Sequence, residues 1–257
     1  EYFGSFQNIK KEKQILIERV ARKGLSILNY DNEAARSMAE VSPARVLSFG
    51  LLPGADIVAQ DLHYRYQGAS YDIAGLNFKL NYEGNIVPVE MPNIIGEGGV
   101  YAALAATAVA LHFGLNLMEI ASALRNLRLP AGRMQLLPGI KHTFLIDDSY
   151  NSSPEACLSA LKVLGQIKID GAASKYAVLG DMLEIGAYSE EGHTLVGRTL
   201  FEQGINYLVS VGERSRDIDR GAKEAGMSSD FIFHFDDSAT AGRFVQERLH
   251  EGDVVLI

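Results

Sequence analysis

The second half of this chain alternates short apolar segments with amphipathic ones, and that alternation is the feature that most restricts its fold. Five segments are apolar almost throughout and predict buried strands: 143–146, 176–179, 207–211, 231–235 and 254–257. Segments with helical periodicity begin near Pro154, Ser189, Arg214 and Ser238. This pattern predicts a parallel sheet that is covered by helices on both faces and binds ligands at the carboxyl ends of its strands.

The first half begins with one helical segment and continues with mixed elements. Residues 5–24 place apolar side chains on one helical stripe, with Lys13 in the middle of it. Six further elements are expected. Strands are predicted at 25–29 and 45–51, and a strand hairpin at 76–89. Helices are predicted at 32–40, 99–113 and 117–127. Pro88 marks the second hairpin strand as an edge strand. The helix over 99–113 is apolar on every side, which predicts that it is buried.

The segment Leu-Pro-Ala-Gly-Arg at 129–133 interrupts both patterns. We therefore predict an α/β protein with two domains, 1–130 and 131–257. A chain of 257 residues is long enough to give each domain its own core.

Composition and charge exclude several classes of function. The formal net charge of −8 argues against a nucleic-acid backbone as the main partner, although a nucleotide held by backbone groups and a metal ion is compatible with it. The single cysteine, Cys157, allows no internal disulfide and favours a reducing compartment. The chain has no apolar run of the roughly 18 residues that a membrane span needs.

Several common catalytic motifs are missing from the sequence. The chain has no Gly-x-x-x-x-Gly-Lys-[Ser/Thr] phosphate loop and no Gly-x-Ser-x-Gly elbow, and its six histidines lack zinc-site spacing. The glycine run 96–99 imitates the start of a dinucleotide fingerprint, but Tyr101 stands where the third glycine belongs.

The predicted strand ends of the second domain are acidic. Carboxylates follow four of the strands, at 147–148, 181, 213 and 236–237. Asp237 and Glu213 are expected to act as helix caps or as partners of the helix dipole. The loop after Asp147 and Asp148 is different, because Ser153 is expected to cap the next helix and leaves the residues before it available for a ligand.

Four motifs in order give the chain a family resemblance. They are Glu-Tyr-Phe-Gly-Ser at 1–5 with Lys-Glu-Lys at 11–13, Ala-Gly-Arg-Met-Gln at 131–135, Asp-Asp-Ser-Tyr-Asn-Ser-Ser-Pro at 147–154, and Leu-Gly-Asp-Met-Leu-Glu-Ile-Gly at 179–186. This series resembles that of the Mur ligases over the whole length of the chain. Within that family, the third and fourth motifs favour the member that adds D-alanyl-D-alanine.

The resemblance implies a fold and a reaction. The chain would hold the second part of a central ATPase domain and most of a Rossmann-like carboxyl-terminal domain, with the family's phosphate loop upstream. The implied reaction is ATP- and Mg²⁺-dependent: an acyl phosphate forms on UDP-N-acetylmuramoyl-tripeptide, and the amine of D-alanyl-D-alanine attacks it. A cytoplasmic, monomeric enzyme of peptidoglycan synthesis is expected, and the 257 residues alone should be inactive.

The resemblance also assigns roles to particular residues. Lys13 matches a family lysine that is carbamylated by carbon dioxide and then binds magnesium. This role would account for the position of an amine on an apolar stripe. The alternative is an ordinary lysine whose charged end reaches water. Glu1 would ligate or orient magnesium, or would be a plain surface carboxylate. Arg133 would reach the ATP phosphates, or form an interdomain ion pair.

Five residues of the second domain complete the implied site. Asp148 matches an aspartate that binds the nucleotide ribose, while Tyr150 and Asn151 would lie nearest the nucleotide and the acyl group. Asp181 and Glu184 would meet the incoming amine, with helix capping as the alternative. We expect Lys13, Arg133 and Asp148 to converge on one cleft.

One departure from the family pattern and two other interpretations stay open. The family usually has His-Asn-x-x-Asn at the start of the buried helix, and its second asparagine contacts adenine. This chain has Gly-Gly-Val-Tyr-Ala at 98–102 instead. Either Tyr101 or backbone groups would replace that adenine contact, or the affinity for the nucleotide is weaker. The chain could instead be a sister ligase that adds another amino acid, including glutamate-adding folate enzymes. As a fragment without a phosphate loop, it could also be a non-catalytic nucleotide-binding module.

Overall fold

The computed structural model describes residues 4–67, 72–92 and 94–257, and Asp72 only in its backbone. The described residues form two compact units. Those within 1–65, 75–92 and 97–128 make up the first unit, and those within 66–74, 93–96 and 129–257 make up the second. In the part of the chain that the structure describes, no helix is both long enough and apolar enough to cross a bilayer.

The first unit is built around a five-stranded sheet with the strand order β1-β2-β3-β4-β5. The strands are β1 (Leu25–Asn29), β2 (Arg45–Gly50), β3 (Ile57–Gln67), β4 (Asp72–Tyr82) and β5 (Asn85–Pro92). The helices are α1 (Phe6–Glu18), α2 (Glu33–Ser37), α3 (Glu97–His112) and α4 (Leu117–Leu124). The strands β1, β2 and β3 are parallel, whereas β4 and β5 form the predicted hairpin with β5 at the sheet edge. Glu83 and Gly84 close this hairpin with left-handed φ angles of 50° and 79°.

Two helices of the first unit are less buried than their sequences predict. The helix α3 packs on β1 and β2 through Val100, Ala103 and Leu104, but Val109 on its other side is 46% exposed. The prediction that this helix is buried on all sides is therefore wrong, because the described elements cover only one of its faces. In α1 no residue is buried, and Leu16 of its apolar stripe is 68% exposed.

The second unit contains a six-stranded sheet with the order β10-β9-β8-β11-β7-β6. Its strands are β6 (Gln135–Pro138), β7 (Phe144–Asp147), β8 (Lys175–Gly180), β9 (Tyr207–Val211), β10 (Ile232–Phe235) and β11 (Val254–Leu256). Its helices are α5 (Pro154–Gln166), α6 (Ser189–Glu202), α7 (Arg216–Ala225) and α8 (Ser238–Arg248). All neighbouring strands are parallel except β6, which runs antiparallel to β7. The predicted α/β fold with a Rossmann-like second sheet is confirmed.

The helix starts of the second unit follow the predicted capping chemistry. The Ser153 hydroxyl accepts a hydrogen bond from the Ala156 amide at the start of α5, with Pro154 in the first turn. The Asp237 carboxylate accepts a hydrogen bond from the Thr240 amide, which confirms Asp237 as the cap of α8. The strand β6 was not predicted, because four residues that end in a proline carry too little periodicity.

A lysine in the β6–β7 connection caps the carboxyl end of α8. Lys141 Nζ donates to the carbonyl oxygens of Gln246, Glu247 and Leu249 at 2.9, 3.3 and 3.0 Å. We expect Lys141→Met to lower the free energy of unfolding by about 1 kcal/mol, because three helix-end carbonyls lose a cationic donor. Urea denaturation followed by circular dichroism measures this change. Lys168→Met, at an exposed side chain, is the control, and equal midpoints for the two variants would contradict the capping role.

Candidate functional site

Two loops of the second unit pair with each other at the carboxyl end of β7. Gly132 has a left-handed φ of 70° and accepts a hydrogen bond from the Tyr150 amide at 3.1 Å. A Cβ atom on Gly132 would lie 2.8 Å from that amide nitrogen, so a glycine is required here. The Arg133 guanidinium stacks over the Tyr150 ring at 4.2 Å from its centroid. The structure therefore brings together two of the motifs noted in the sequence.

Asp148 joins these loops to the end of β11. Its Oδ1 accepts a hydrogen bond from the Met134 amide at 3.0 Å, and its own amide donates to the Ile257 carbonyl at 2.7 Å. Burial raises the pKa of Asp148 and Asp147 adds to the increase, while the Met134 amide and Arg133 oppose it. Asp147 Oδ1 accepts hydrogen bonds from the amide and hydroxyl of Ser149, which supports a structural role for this carboxylate.

A cavity of about 400 Å³ opens beside these loops, at the carboxyl ends of the parallel strands. Six polar residues contribute to its lining: Asp148, Ser149, Asn151, Ser152, Asp181 and Ser238. The remaining wall is largely apolar and includes Ala156, Cys157, Ala160, Val178, Leu179 and Leu256. Carboxylates above a small apolar pocket suit a ligand that carries an amine and small aliphatic groups. The residues that line the cavity do not include Arg133, Tyr150 or Glu184.

The turn after β8 is held rigidly by two hydrogen bonds. Asp181 Oδ1 accepts from the Ser215 amide, at the start of α7, at 2.8 Å. Met182 is fully buried, and its amide donates to His193 Nε2 at 2.9 Å. Asp181 therefore serves as a helix-start partner while it also lines the cavity. Glu184, in contrast, is exposed, with a left-handed φ of 62°.

Cys157 is a cavity residue that was not predicted from the sequence. This residue is 8% exposed and lines the cavity, and its Sγ lies 3.0 Å from Ser152 Oγ. Burial raises the pKa of the Cys157 thiol, so it is an uncharged wall residue. Its position on the buried face of α5, directly after the motif loop, is the sequence feature that could have indicated its place in the cavity wall.

In the first unit, Tyr101 is engaged in a hydrogen bond within the protein. Its hydroxyl donates to Asp31 Oδ2 at 2.8 Å, and the same carboxylate accepts from the Leu51 and Leu52 amides at 2.6 and 3.2 Å. Burial and the neighbouring Asp31 raise the pKa of Tyr101. Tyr101 thus connects the first turns of α3 to the carboxyl ends of β1 and β2. Tyr101 lies directly before Ala102, the position at which the family motif has its second asparagine.

The remaining predicted site residues lie in or before α1. Lys13 is exposed, so the desolvation that the sequence suggested for its amine is not found in the described chain. Its assignment stays a prediction. Glu1 lies outside the described residues. Across residues 4–67, 72–92 and 94–257, no group of three or more His, Cys, Asp and Glu side chains could hold a metal ion.

Comparison with known proteins identifies the family of this fold and site. The model of the Mur ligase middle domain matches residues 1–110, and the model of the Mur ligase glutamate ligase domain matches residues 132–257. The chain belongs to the Mur ligase family. The second match begins at Gly132, in the loop that also carries Arg133.

Individual Mur ligases resemble the chain over nearly its whole length. The UDP-N-acetylmuramoyl-tripeptide–D-alanyl-D-alanine ligase of Escherichia coli K12 is 30% identical over 221 residues, which are 85% of this chain and 46% of the relative. A crystal structure of MurF from Acinetobacter baumannii has a TM-score of 0.80 at 26% identity and covers 99% of this chain and 52% of that one. MurF from Thermotoga maritima in complex with ADP has a TM-score of 0.79 at 23% identity and covers 100% and 54%. The chain spans about half the length of these Mur ligases.

Proposed function

We propose that the intact protein is the ATP-dependent ligase that adds D-alanyl-D-alanine to UDP-N-acetylmuramoyl-tripeptide in peptidoglycan precursor synthesis. The observation that carries this proposal is the pairing of the Ala-Gly-Arg loop with the Asp-Asp-Ser-Tyr-Asn loop beside a cavity at the strand ends. The E. coli relative bears the name of this activity. In this proposal residues 1–130 belong to the ATPase domain and residues 131–257 form the domain that receives the incoming amine, in a cytoplasmic, monomeric enzyme.

The nucleotide part of the proposal rests on Arg133, Asp148 and Tyr150. ATP supplies the phosphoryl group that activates the tripeptide carboxylate. The Arg133 guanidinium is exposed and lies over the Tyr150 ring, 4.2 Å from its centroid, so it is available to neutralise phosphate charge. The half-buried Asp148 accepts one backbone hydrogen bond and has further acceptor capacity for ribose hydroxyls. Asn151, on the cavity wall, offers an amide for the acyl group.

The amine part of the proposal rests on the cavity wall. Asp181 supplies a carboxylate for the ammonium group of D-alanyl-D-alanine, and the apolar surface accommodates its two methyl groups. Glu184 is assigned to the same substrate from the edge of the site. Lys13 and Glu1 are proposed as magnesium ligands, together with groups outside this chain.

Asp181→Asn separates the structural role of this residue from its substrate role. The amide oxygen of asparagine still accepts from the Ser215 amide, so the unfolding temperature is expected to stay near that of the wild type. In the intact ligase the KM for D-alanyl-D-alanine is expected to rise about tenfold or more, because the ammonium group loses a charged partner. Asp181→Ala, which loses both interactions, should also be less stable by about 1 kcal/mol. An unchanged KM in Asp181→Asn would restrict Asp181 to the structural role.

The overall proposal is tested by phosphate release and product formation. The intact protein is expected to release phosphate only with ATP, UDP-N-acetylmuramoyl-tripeptide and D-alanyl-D-alanine together, whereas residues 1–257 alone release none. A panel of amino acids in place of the dipeptide distinguishes the sister ligases, since efficient use of another amino acid would move the assignment to one of them. An intact protein that binds ATP without turnover would be a non-catalytic nucleotide-binding module.

A further inference from the structure

A buried polar cluster lies between α7 and the strands β9 and β10. His234 on β10 is the register partner of Ser210 on β9, and His234 Nδ1 lies 2.8 Å from Ser210 Oγ. Asp219 of α7 reaches both residues: its Oδ2 lies 3.5 Å from His234 Nδ1, and its carboxylate hydrogen bonds with the Ser210 hydroxyl. Ser210 is fully buried and Asp219 is 7% exposed. None of these residues lines the cavity described above.

The charges around the cluster leave Asp219 poorly compensated. Burial raises the pKa of Asp219, while the Ser210 hydroxyl, His234, Lys223 and Arg216 oppose the increase. Arg216 also reaches Asp236, whose Oδ1 lies 3.8 Å from His234 Nε2. Asp219 Oδ1 and His234 Nε2 are buried and have no hydrogen-bond partner in the described chain. An ionised Asp219 beside a neutral imidazole would therefore be an uncompensated buried charge.

One proton shared by Asp219 and His234 removes this imbalance. With the ring protonated on both nitrogens, Nδ1–H donates to Ser210 Oγ and the Ser210 hydroxyl donates to Asp219. Nε2–H then points towards Asp236, and Asp219 faces a cation at 3.5 Å. With the proton on Asp219 instead, the pair is also neutral. Either arrangement avoids a buried charge without a partner.

The cluster is connected to the cavity through the first turns of α7. Ser215, one turn before Asp219, is fully buried, and its carbonyl accepts from the Ile218 and Asp219 amides at 2.9 and 3.3 Å. The Ser215 amide is the donor that holds Asp181 on the cavity wall. We propose that Ser210, Asp219 and His234 form a proton-controlled latch, which holds one proton, fixes the first turn of α7 and thereby positions Asp181.

The sign of the pH dependence follows from this arrangement. The folded chain holds the shared proton at pH values where the unfolded Asp219, with an ordinary carboxyl pKa, has lost its own. Once the pH is too high for an unfolded histidine to take up that proton, unfolding of the first turn releases it, and the stability of this turn falls as the pH rises through the range where the folded cluster loses the proton.

Nuclear magnetic resonance of the 257-residue chain tests the latch. The Ser215 amide shift and the His234 ring signals are expected to change with one common midpoint as the pH is raised. Protection of the Ser215 amide from hydrogen exchange, corrected for the intrinsic rate, is expected to fall about tenfold across this midpoint. His234→Gln should abolish both changes at Ser215. His250→Gln, at an exposed histidine, is the control and should leave them intact.

Two results would overturn the latch. One is a Ser215 amide whose shift and protection do not depend on pH, or depend on it equally in His234→Gln. The other needs no variant: different midpoints for the His234 ring and the Ser215 amide in the wild type would show that the two groups are not coupled. The second measurement decides the question even if His234→Gln fails to fold.

Discussion

Replacing Gly197 or Gly221 by alanine is expected to destabilise the second unit by about 3 kcal/mol each. The two glycines face each other across the contact between α6 and α7, where the helix backbones touch. A Cβ atom on Gly197 would collide with the Ile218 carbonyl oxygen, and one on Gly221 would collide with the Thr194 carbonyl oxygen. Neither obstacle is a side-chain end that could rotate away, so the helices would have to separate and lose packing.

Gly242→Ala is the matched control for this prediction. Gly242 also lies within a helix, α8, but no atom lies within 4 Å of its added Cβ. Alanine is expected to stabilise this position by about 0.5–1 kcal/mol, because it restricts the unfolded chain and favours the helix. Urea denaturation of the three variants gives the comparison. Midpoints for Gly197→Ala and Gly221→Ala that match the wild type would show that α6 and α7 do not touch through their backbones.

In the intact protein, Lys13→Ala is expected to lower ligase activity by about 10²- to 10³-fold. This expectation rests on the proposed carbamylation, in which the neutral amine of Lys13 would add carbon dioxide, release one proton and become an anion able to hold magnesium. Loss of that anion removes several kcal/mol of charge stabilisation at the phosphoryl group. Initial rates with and without added bicarbonate, and a mass increase on Lys13 in the wild type, provide the measurement.

Lys11→Ala is the control for the lysine experiment. Lys11 lies on the same helix, is exposed, and falls outside the apolar stripe. It should retain wild-type activity. If Lys13→Ala were as active as Lys11→Ala, the exposed position of Lys13 in the described chain would represent its working state, and it would have no catalytic role.

Much of the second unit could be predicted from local patterns. Short apolar runs become the strands of the parallel sheet, and Ser153 and Asp237 cap helices as expected, because capping involves residues only three positions apart. The hairpin with Pro88 on the edge strand follows from similar local rules. The motif order of the Mur ligases could likewise be recognised without coordinates.

Other features depended on contacts between distant residues. Asp181 binds an amide 34 positions further along the chain, and Tyr101 binds Asp31, 70 positions before it. Neither pairing leaves a periodic signal, so the sequence left capping and ligand binding open for Asp181. The sequence also left the exposure of Lys13 open, because periodicity shows that a stripe is apolar but not what covers it.

The sequence by itself determined the α/β class, the alternation of parallel strands and helices in the second unit, the family and the two loops that carry its motifs, because each of these depends on spacing along the chain. The tertiary structure alone decided that Gly132 holds those loops together, that Asp181 is already bound to the start of α7, and that Ser210, Asp219 and His234 share a buried cluster. The physical reason is that burial and hydrogen bonding depend on which segments meet in space, and segments far apart in sequence meet only after folding.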